Sequence, residues 1–272
     1  MKGTHAVDTA VTWLFVPGHR PERVQKALAT RADVVVIDLE DAVPEVDKTD
    51  SRARLAGWTA APGFDLARVV IRVNAYGTPW HADDVAAVVQ CGAALMLPKA
   101  EPGGAIRALS DRGVPRLVAL VETARGVVGA ADIADVADRI ALGNADLGTE
   151  LGVDPSNREA LSAARGQLVL CSAARSLPRP IDGITTSVTD LDRVRSDAAH
   201  SASMGFGGKL CIHPGQLVPT REAFAPREAD VAWARSIIAA TSGDGTGAVR
   251  VAGNMVDAPI IARASEIIQR SL

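Results

Sequence analysis

The sequence predicts a (β/α)8 TIM barrel with a C-terminal helical lid extension, and three observations carry that prediction. Eight short apolar runs alternate with eight longer amphipathic stretches. The runs are rich in Val, Ile and Leu without strict alternation, as strands covered on both faces are. Nearly every run carries a charged or hydrogen-bonding residue at its carboxyl end, the end where such barrels place their chemistry. An open doubly wound sheet is the alternative arrangement of the same units.

The predicted strands are Trp13–Pro17, Val34–Glu40, Val69–Asn74, Ala94–Lys99, Arg116–Glu122, Arg139–Asn144, Pro180–Thr186 and Lys209–His213. The predicted helices between and after them are Pro21–Thr30, Lys48–Thr59, Trp80–Gln90, Gly104–Arg112, Arg125–Val136, Arg158–Ser176, Leu191–Met204 and Gln216–Phe224. Pro21 with Glu22, and Asp190 before Leu191, are helix-start signals. Residues 1–225 are therefore read as the catalytic barrel and residues 226–272 as a lid or oligomerisation segment. That segment holds a helix over Arg227–Thr241, a turn of small residues at Ser242–Gly247, the apolar pair Val249 and Val251, and a helix around Pro259–Gln269. It is too short for an independent core.

Composition excludes several functions. With 272 residues and 47% hydrophobic content the chain can bury a sizeable core. A net charge of -3 and 3% aromatics offer neither a basic surface nor a stacking platform for nucleic acid. The three cysteines form no C-x-x-C pair, so a disulfide framework or thiolate zinc site is not expected, and a reducing cytoplasm is. No apolar run suggests a signal peptide or the about 20 residues of a membrane span.

Two acids stand out. Glu122 follows the run Leu117–Val121 and Asp146 follows Ile140–Leu142. Carboxylates at the ends of successive buried strands can share one divalent cation, and hard oxygen ligands without paired His or Cys suit Mg²⁺ or Mn²⁺. Arg72, at the end of the third strand, is placed to clamp a carboxylate or steady a developing enolate oxygen. Pro17-Gly18 turns the chain so that His19 and Arg20 reach the surface, where Arg20 and Lys26 can meet phosphates. There is no nucleophile elbow, P-loop or dinucleotide fingerprint. Nearby acids should raise the Lys99 pKa and keep it an ion-pair partner rather than a Schiff base. Glu40 and Asp41 suit either a metal's water shell or a helix cap. His213 is expected in a structural turn, Asp182 in internal hydrogen bonds, and the cysteines in the interior.

Leu14-Phe-Val-Pro-Gly18, Asp38-Leu-Glu-Asp-Ala-Val43, Met96-Leu-Pro-Lys99, Val121-Glu-Thr-Ala-Arg-Gly126, Gly205-Phe-Gly-Gly-Lys209 and Ile212-His-Pro-Gly-Gln216 together resemble the citrate lyase β-subunit family of the HpcH/HpaI superfamily, which includes malyl-CoA and citramalyl-CoA lyases. The likeness runs in order from Trp13 to about Ala264. It implies a TIM barrel, Mg²⁺, a CoA thioester substrate, and reversible carbon–carbon cleavage to an acyl-CoA and a 2-oxo acid. Alternatives within it are a citrate lyase β subunit using a carrier-protein thioester and a CoA-independent 2-oxo acid aldolase. By resemblance, Glu122 and Asp146 hold the metal, Arg72 contacts substrate, and Phe15, Arg20 and Lys26 hold CoA. Gly253-Asn-Met-Val-Asp257-Ala-Pro259 resembles the lid motif, whose aspartate, here Asp257, acts as acid/base in a neighbouring subunit of a trimer or hexamer. Two positions depart from the family pattern: Ala145 stands where a Glu often precedes the second ligand, and Ala252-Gly253 replaces an Asp-Gly pair.

Overall fold

In the computed structural model, residues 5–61, 64–241, 249–251 and 254–271 are described. They divide into two compact units, Met1–Ala223 and Phe224–Leu272. The first is a closed barrel of eight parallel strands in sequence order: β1 (Thr12–Pro17), β2 (Val34–Asp38), β3 (Val69–Arg72), β4 (Ala94–Leu97), β5 (Leu117–Val121), β6 (Arg139–Leu142), β7 (Ile181–Asp182) and β8 (Gly208–Cys211). β8 closes on β1 with Trp13 opposite Leu210. The open-sheet alternative is excluded.

The barrel interior follows from strand periodicity. Trp13, Val34, Val36, Val70, Met96, Val118, Leu120, Ala141, Ile181 and Leu210 form one buried cluster. Alternate residues share a face, so the next inward positions toward the carboxyl ends are Phe15, Asp38, Arg72, Glu122 and Gly143. The apolar layers therefore stop where the charged layer begins. Residues between them, such as Val35, Ile37 and Ile71, are fully buried on the other face. That double burial explains the unbroken apolar runs.

The amino end is closed by a short helix, Ala6–Thr9, whose Val7 joins the core. Arg139, almost fully buried, donates to Val7 O (2.8 Å), Ala10 O (2.9 Å) and Arg179 O (2.8 Å). Its guanidinium lies 5.5 Å from the Trp13 ring centroid.

Several local expectations are corrected. β6 stops at Leu142, and Asn144–Leu151 is a helix, so Asp146 sits in a helix's first turn rather than at a strand end. A carboxylate there meets the partial positive charge of the helix N-terminus. β7 keeps only Ile181–Asp182 of the longer predicted strand. The helix predicted over Arg125–Val136 breaks at Gly129 into Ala124–Val128 and Ala130–Ala134, and the one predicted from Arg158 begins at Ser162.

The second unit pairs helices Glu228–Thr241 and Ala258–Arg270 through Ala234, Ile237, Val256 and Ala264. Val249–Val251 and Asn254–Val256 form an antiparallel hairpin. The predicted turn Ser242–Gly247 and the Ala252-Gly253 departure lie outside the described residues. No described helix is long and apolar enough to cross a membrane.

Candidate active site

At the carboxyl end of the barrel a cavity of about 350 Å³ is lined by Phe15, Arg72, Glu122, Asn144, Asp146 and neighbouring residues. The charged layer starts with Asp38, which receives Arg72 Nε (2.8 Å) and Nη2 (2.7 Å) side-on. Its oxygens also accept the backbone N–H groups of Glu40 (2.9 Å) and Ala42 (3.0 Å), which fix the turn after β2. The third guanidinium nitrogen, Nη1, pairs with Glu40 Oε2 at 3.0 Å and lies 3.7 Å from Asp41. Arg72 also stacks 4.9 Å from the Phe15 ring centroid. Burial opposes the guanidinium's charge, but Asp38, Glu40 and Glu122 outweigh it and push the Arg72 pKa up. It is a fixed cation.

Glu122 is 4% exposed. Its Oε1 accepts the backbone N–H of Lys99 at 2.8 Å. Burial, then the neighbouring Glu40 and Asp146 carboxylates, raise its pKa to about 8 against the pull of Arg72. Space for it is made by Gly143: a Cβ there would lie 2.3 Å from Glu122 Oε2.

Lys99 adopts a left-handed backbone (φ 48°), which costs a non-glycine residue about 1–2 kcal/mol. The conformation accompanies a double engagement: the backbone N–H holds Glu122, while Nζ reaches Glu40 Oε1 (2.7 Å) and Asp146 Oδ2 (3.3 Å). Burial works against the ammonium, yet the Glu40 hydrogen bond and the surrounding acids raise its pKa. It is an ion-pair partner, as expected from the sequence, and no candidate for a Schiff base.

Five carboxylates, Asp38, Glu40, Asp41, Glu122 and Asp146, thus face two cations, Arg72 and Lys99. No group of three or more His, Cys, Asp or Glu at metal-holding distance occurs among the described residues. This donor set fits a hard divalent ion that takes one or two carboxylates and completes its shell with water or substrate oxygens. It does not fit a closed zinc site. The raised Glu122 pKa marks a carboxylate short of positive charge, the deficit such an ion would make good.

A second cavity of about 380 Å³ is lined by Phe15, Arg23, Lys26, His213 and Pro214, among others. Phe15 borders both cavities. Of the three residues assigned to CoA by resemblance, the fold brings Phe15 and Lys26 together, whereas Arg20 is half-exposed and pairs with Glu22 at 2.8 Å. Arg23, three residues before Lys26 and so on the same helix face, joins the cavity instead. His213 caps the turn Pro214–Gln216, accepting from Gly215 N, and Asp182 receives Arg165 and Ser201. Asp257 is the N-cap of helix Ala258–Arg270, accepting from Ile260 N at 3.4 Å.

Asp38 was missed as a site residue by motif reasoning. Its signal was strand parity: it shares a face with Val34 and Val36, as Arg72 does with Val70.

Fold and mouth together define an enzyme of the barrel aldolase and lyase class. Residues 12–214 match the model of the HpcH/HpaI aldolase/citrate lyase family, and the chain belongs to it. A citrate lyase subunit beta-like protein of Mycobacterium tuberculosis is 36% identical over 268 residues, covering 95% of this chain and 94% of that one. A (3S)-malyl-CoA thioesterase of Cereibacter sphaeroides is 33% identical over 253 residues, covering 90% and 88%. Among solved structures, M. tuberculosis CitE in complex with magnesium, acetoacetate and coenzyme A superposes with a TM-score of 0.83 at 36% identity, covering 97% and 98%.

Proposed function

We propose that this chain is a Mg²⁺-dependent carbon–carbon lyase. It would cleave, or in reverse form, a β-hydroxyacyl-CoA thioester such as malyl-, citramalyl- or citryl-CoA, giving an acyl-CoA and a 2-oxo acid. The observation that carries the reading is Glu122 and Asp146 on one cavity with the immobilised guanidinium of Arg72. The magnesium and coenzyme A of the CitE structure support it.

Glu122 and Asp146 would hold the ion, which, when bound, lowers the pKa of a chelated hydroxyl and fixes the bond to be broken. Arg72, oriented by Asp38 rather than free to rotate, would stabilise the thioester oxygen as negative charge develops there. Asp257 of the lid would move the proton at the enolate carbon. Phe15 and Lys26 would receive the CoA moiety, with Arg23 joining them and Arg20 turning from Glu22 to do so. Glu40 and Lys99 would hold the surrounding charge in place.

Purified protein incubated with Mg²⁺ and a panel of CoA thioesters, read by mass spectrometry, should release a 2-oxo acid from one of them. Activity unchanged by Glu122→Ala or by EDTA sinks the reading. The thioesterase relative favours a second outcome on the same substrate class, namely hydrolysis. Free CoA with an intact hydroxy diacid in the products would establish it. The alternative is a citrate lyase β subunit acting on a carrier-protein thioester, which belongs in the same screen; one relative, of Leuconostoc mesenteroides, is named citrate lyase subunit beta. A homotrimer or hexamer in the cytoplasm is the expected setting. Light scattering gives the assembly. Mixing inactive Arg72→Met and Asp257→Asn proteins should restore partial activity if the lid serves a neighbouring subunit.

A further inference from the structure

Outside the barrel wall, on the far face of β7 and β8, lies a second polar cluster that the chemistry above does not use. Ile181 and Leu210 point into the barrel core, so their neighbours Asp182 and Lys209, which are register partners, point outward. They face a cavity of about 170 Å³ closed by helices Ser162–Ala174 and Leu191–Met204, which bring Arg165, Arg193, Asp197 and His200 to it. Arg158 completes the lining from the preceding loop.

The acids of this cavity are already committed. Asp182 receives Arg165 Nε (3.0 Å) and Ser201 Oγ and lies 3.9 Å from Lys209 Nζ. Asp197 receives Arg158 Nη2 (2.7 Å) and Thr185 Oγ1 (2.9 Å), with Arg193 Nε at 3.3 Å. Asp190 caps its helix by accepting from Arg193 N. Four cations therefore share three acids. Two buried nitrogens of the lining have no hydrogen-bond partner among the described residues: Arg165 Nη1 and His200 Nε2. The Arg165 side chain is only 7% exposed, so its free N–H groups cannot turn to bulk solvent. A buried donor of a charged group left without an acceptor carries the cost of its lost hydration. A ligand with acceptor oxygens removes that cost.

We propose that this cavity binds a small oxyanion, phosphate or carboxylate, through Arg165 Nη1 and His200 Nε2, with Arg158 and Arg193 at its rim. The site is separate from the barrel mouth, although Asn144 and Ile184 wall both cavities. The proposal stands whether or not the lyase reading does. Burial first, then Arg158 and Arg165, hold the His200 pKa low against Asp182 and Asp197, so a bound anion should move it upward.

The test is imidazole NMR of the five histidines, with the His200 signal assigned by its loss in His200→Gln. Inorganic phosphate and acetate are added separately at ionic strength matched with chloride. A saturable rise of about one unit in the His200 pKa with either anion is expected, and which anion produces it distinguishes phosphate from carboxylate. Arg158→Gln, at a 37%-exposed side chain and so readily tolerated, should weaken the response at least about tenfold, the size expected of one lost charge-assisted bond. Arg165→Met should abolish it, and Arg158→Gln keeps the test decisive if that protein does not fold. No rise beyond the chloride control, or an equal rise in Arg158→Gln, overturns the site.

Discussion

Arg139 and Arg72 are both buried arginines on barrel strands, one at each end, and their surroundings are opposite. Arg139 is held by three backbone carbonyls and a tryptophan face. Burial draws its pKa down to about 9 while Asp8 pushes the other way, and it remains charged at neutral pH. Arg72 is held by carboxylates that push its pKa up. Neutral oxygens make the first a pin that closes the floor. Charged oxygens make the second an oriented electrostatic element beside a cavity. Burial alone does not distinguish these two arginines; the charge of their acceptors does.

The contrast can be broken from the upper end first. Glu122→Ala should lower kcat at least about 1000-fold, combining loss of a metal carboxylate with loss of the charge stabilisation it supports. The same protein should show weaker Mg²⁺ binding by calorimetry. Arg72→Met should lower kcat/KM about 100- to 1000-fold. Because it also leaves Asp38 buried without its guanidinium and Glu40 with Lys99 alone, it should lose about 3 kcal/mol or more of stability in urea unfolding. At the floor, Arg139→Met should leave activity per folded molecule unchanged. It strands the Val7 and Arg179 carbonyls, while Ala10 O keeps the Trp13 indole N–H, so a loss of about 2 kcal/mol or more is expected in urea unfolding. Normal stability with lost turnover would reverse the assignment of the two ends.

Two smaller effects sharpen it. In chelator-treated protein, Glu122 has a folded pKa near 8, raised above the ordinary carboxylate value. An acid raised in the folded state binds its proton more tightly there than in the unfolded chain. It therefore costs no stability below about pH 4.5, and stability falls as pH rises from there toward 8. Glu122→Gln removes that penalty, so its melting temperature should exceed that of the parent at pH 9 and approach it at pH 5. Lys99→Gly should change stability by within about 1 kcal/mol, relief of the left-handed backbone offsetting glycine's entropy and the lost ion pairs. Its turnover should nevertheless drop.

Much of this was legible in the sequence because the barrel writes its parity into the chain. Val34-Val-Val-Ile-Asp38 has no alternation to read, yet its last residue falls on the inward face by counting alone. Glu122 and Arg72 were found at strand ends for the same reason. Asp146 was found at the wrong kind of element. The apolar run Ile140–Leu142 is followed by Gly143-Asn144, and only the fold decides that the chain turns there into a helix. The hydrogen bonds that settle it are non-local: Asn144 is fastened to Pro155 O and to the backbone of Ile184. The Arg20–Glu22 pair and the entry of Arg23 into the Phe15–Lys26 cavity were hidden similarly, since helix periodicity orders a face without saying what faces it.

Gly143 shows where the barrel's tolerance for variation ends. A single methyl at that position collides with the Glu122 carboxylate, although no charge, donor or acceptor would have changed. The mouth therefore has a purely steric off-position. An enzyme altered to Gly143→Ala would keep every ionisable group and its net charge while displacing one candidate metal ligand. Such a variant is a cleaner inactive reference than any acid substitution, and it makes an unremarkable glycine as informative a position as the carboxylate it faces.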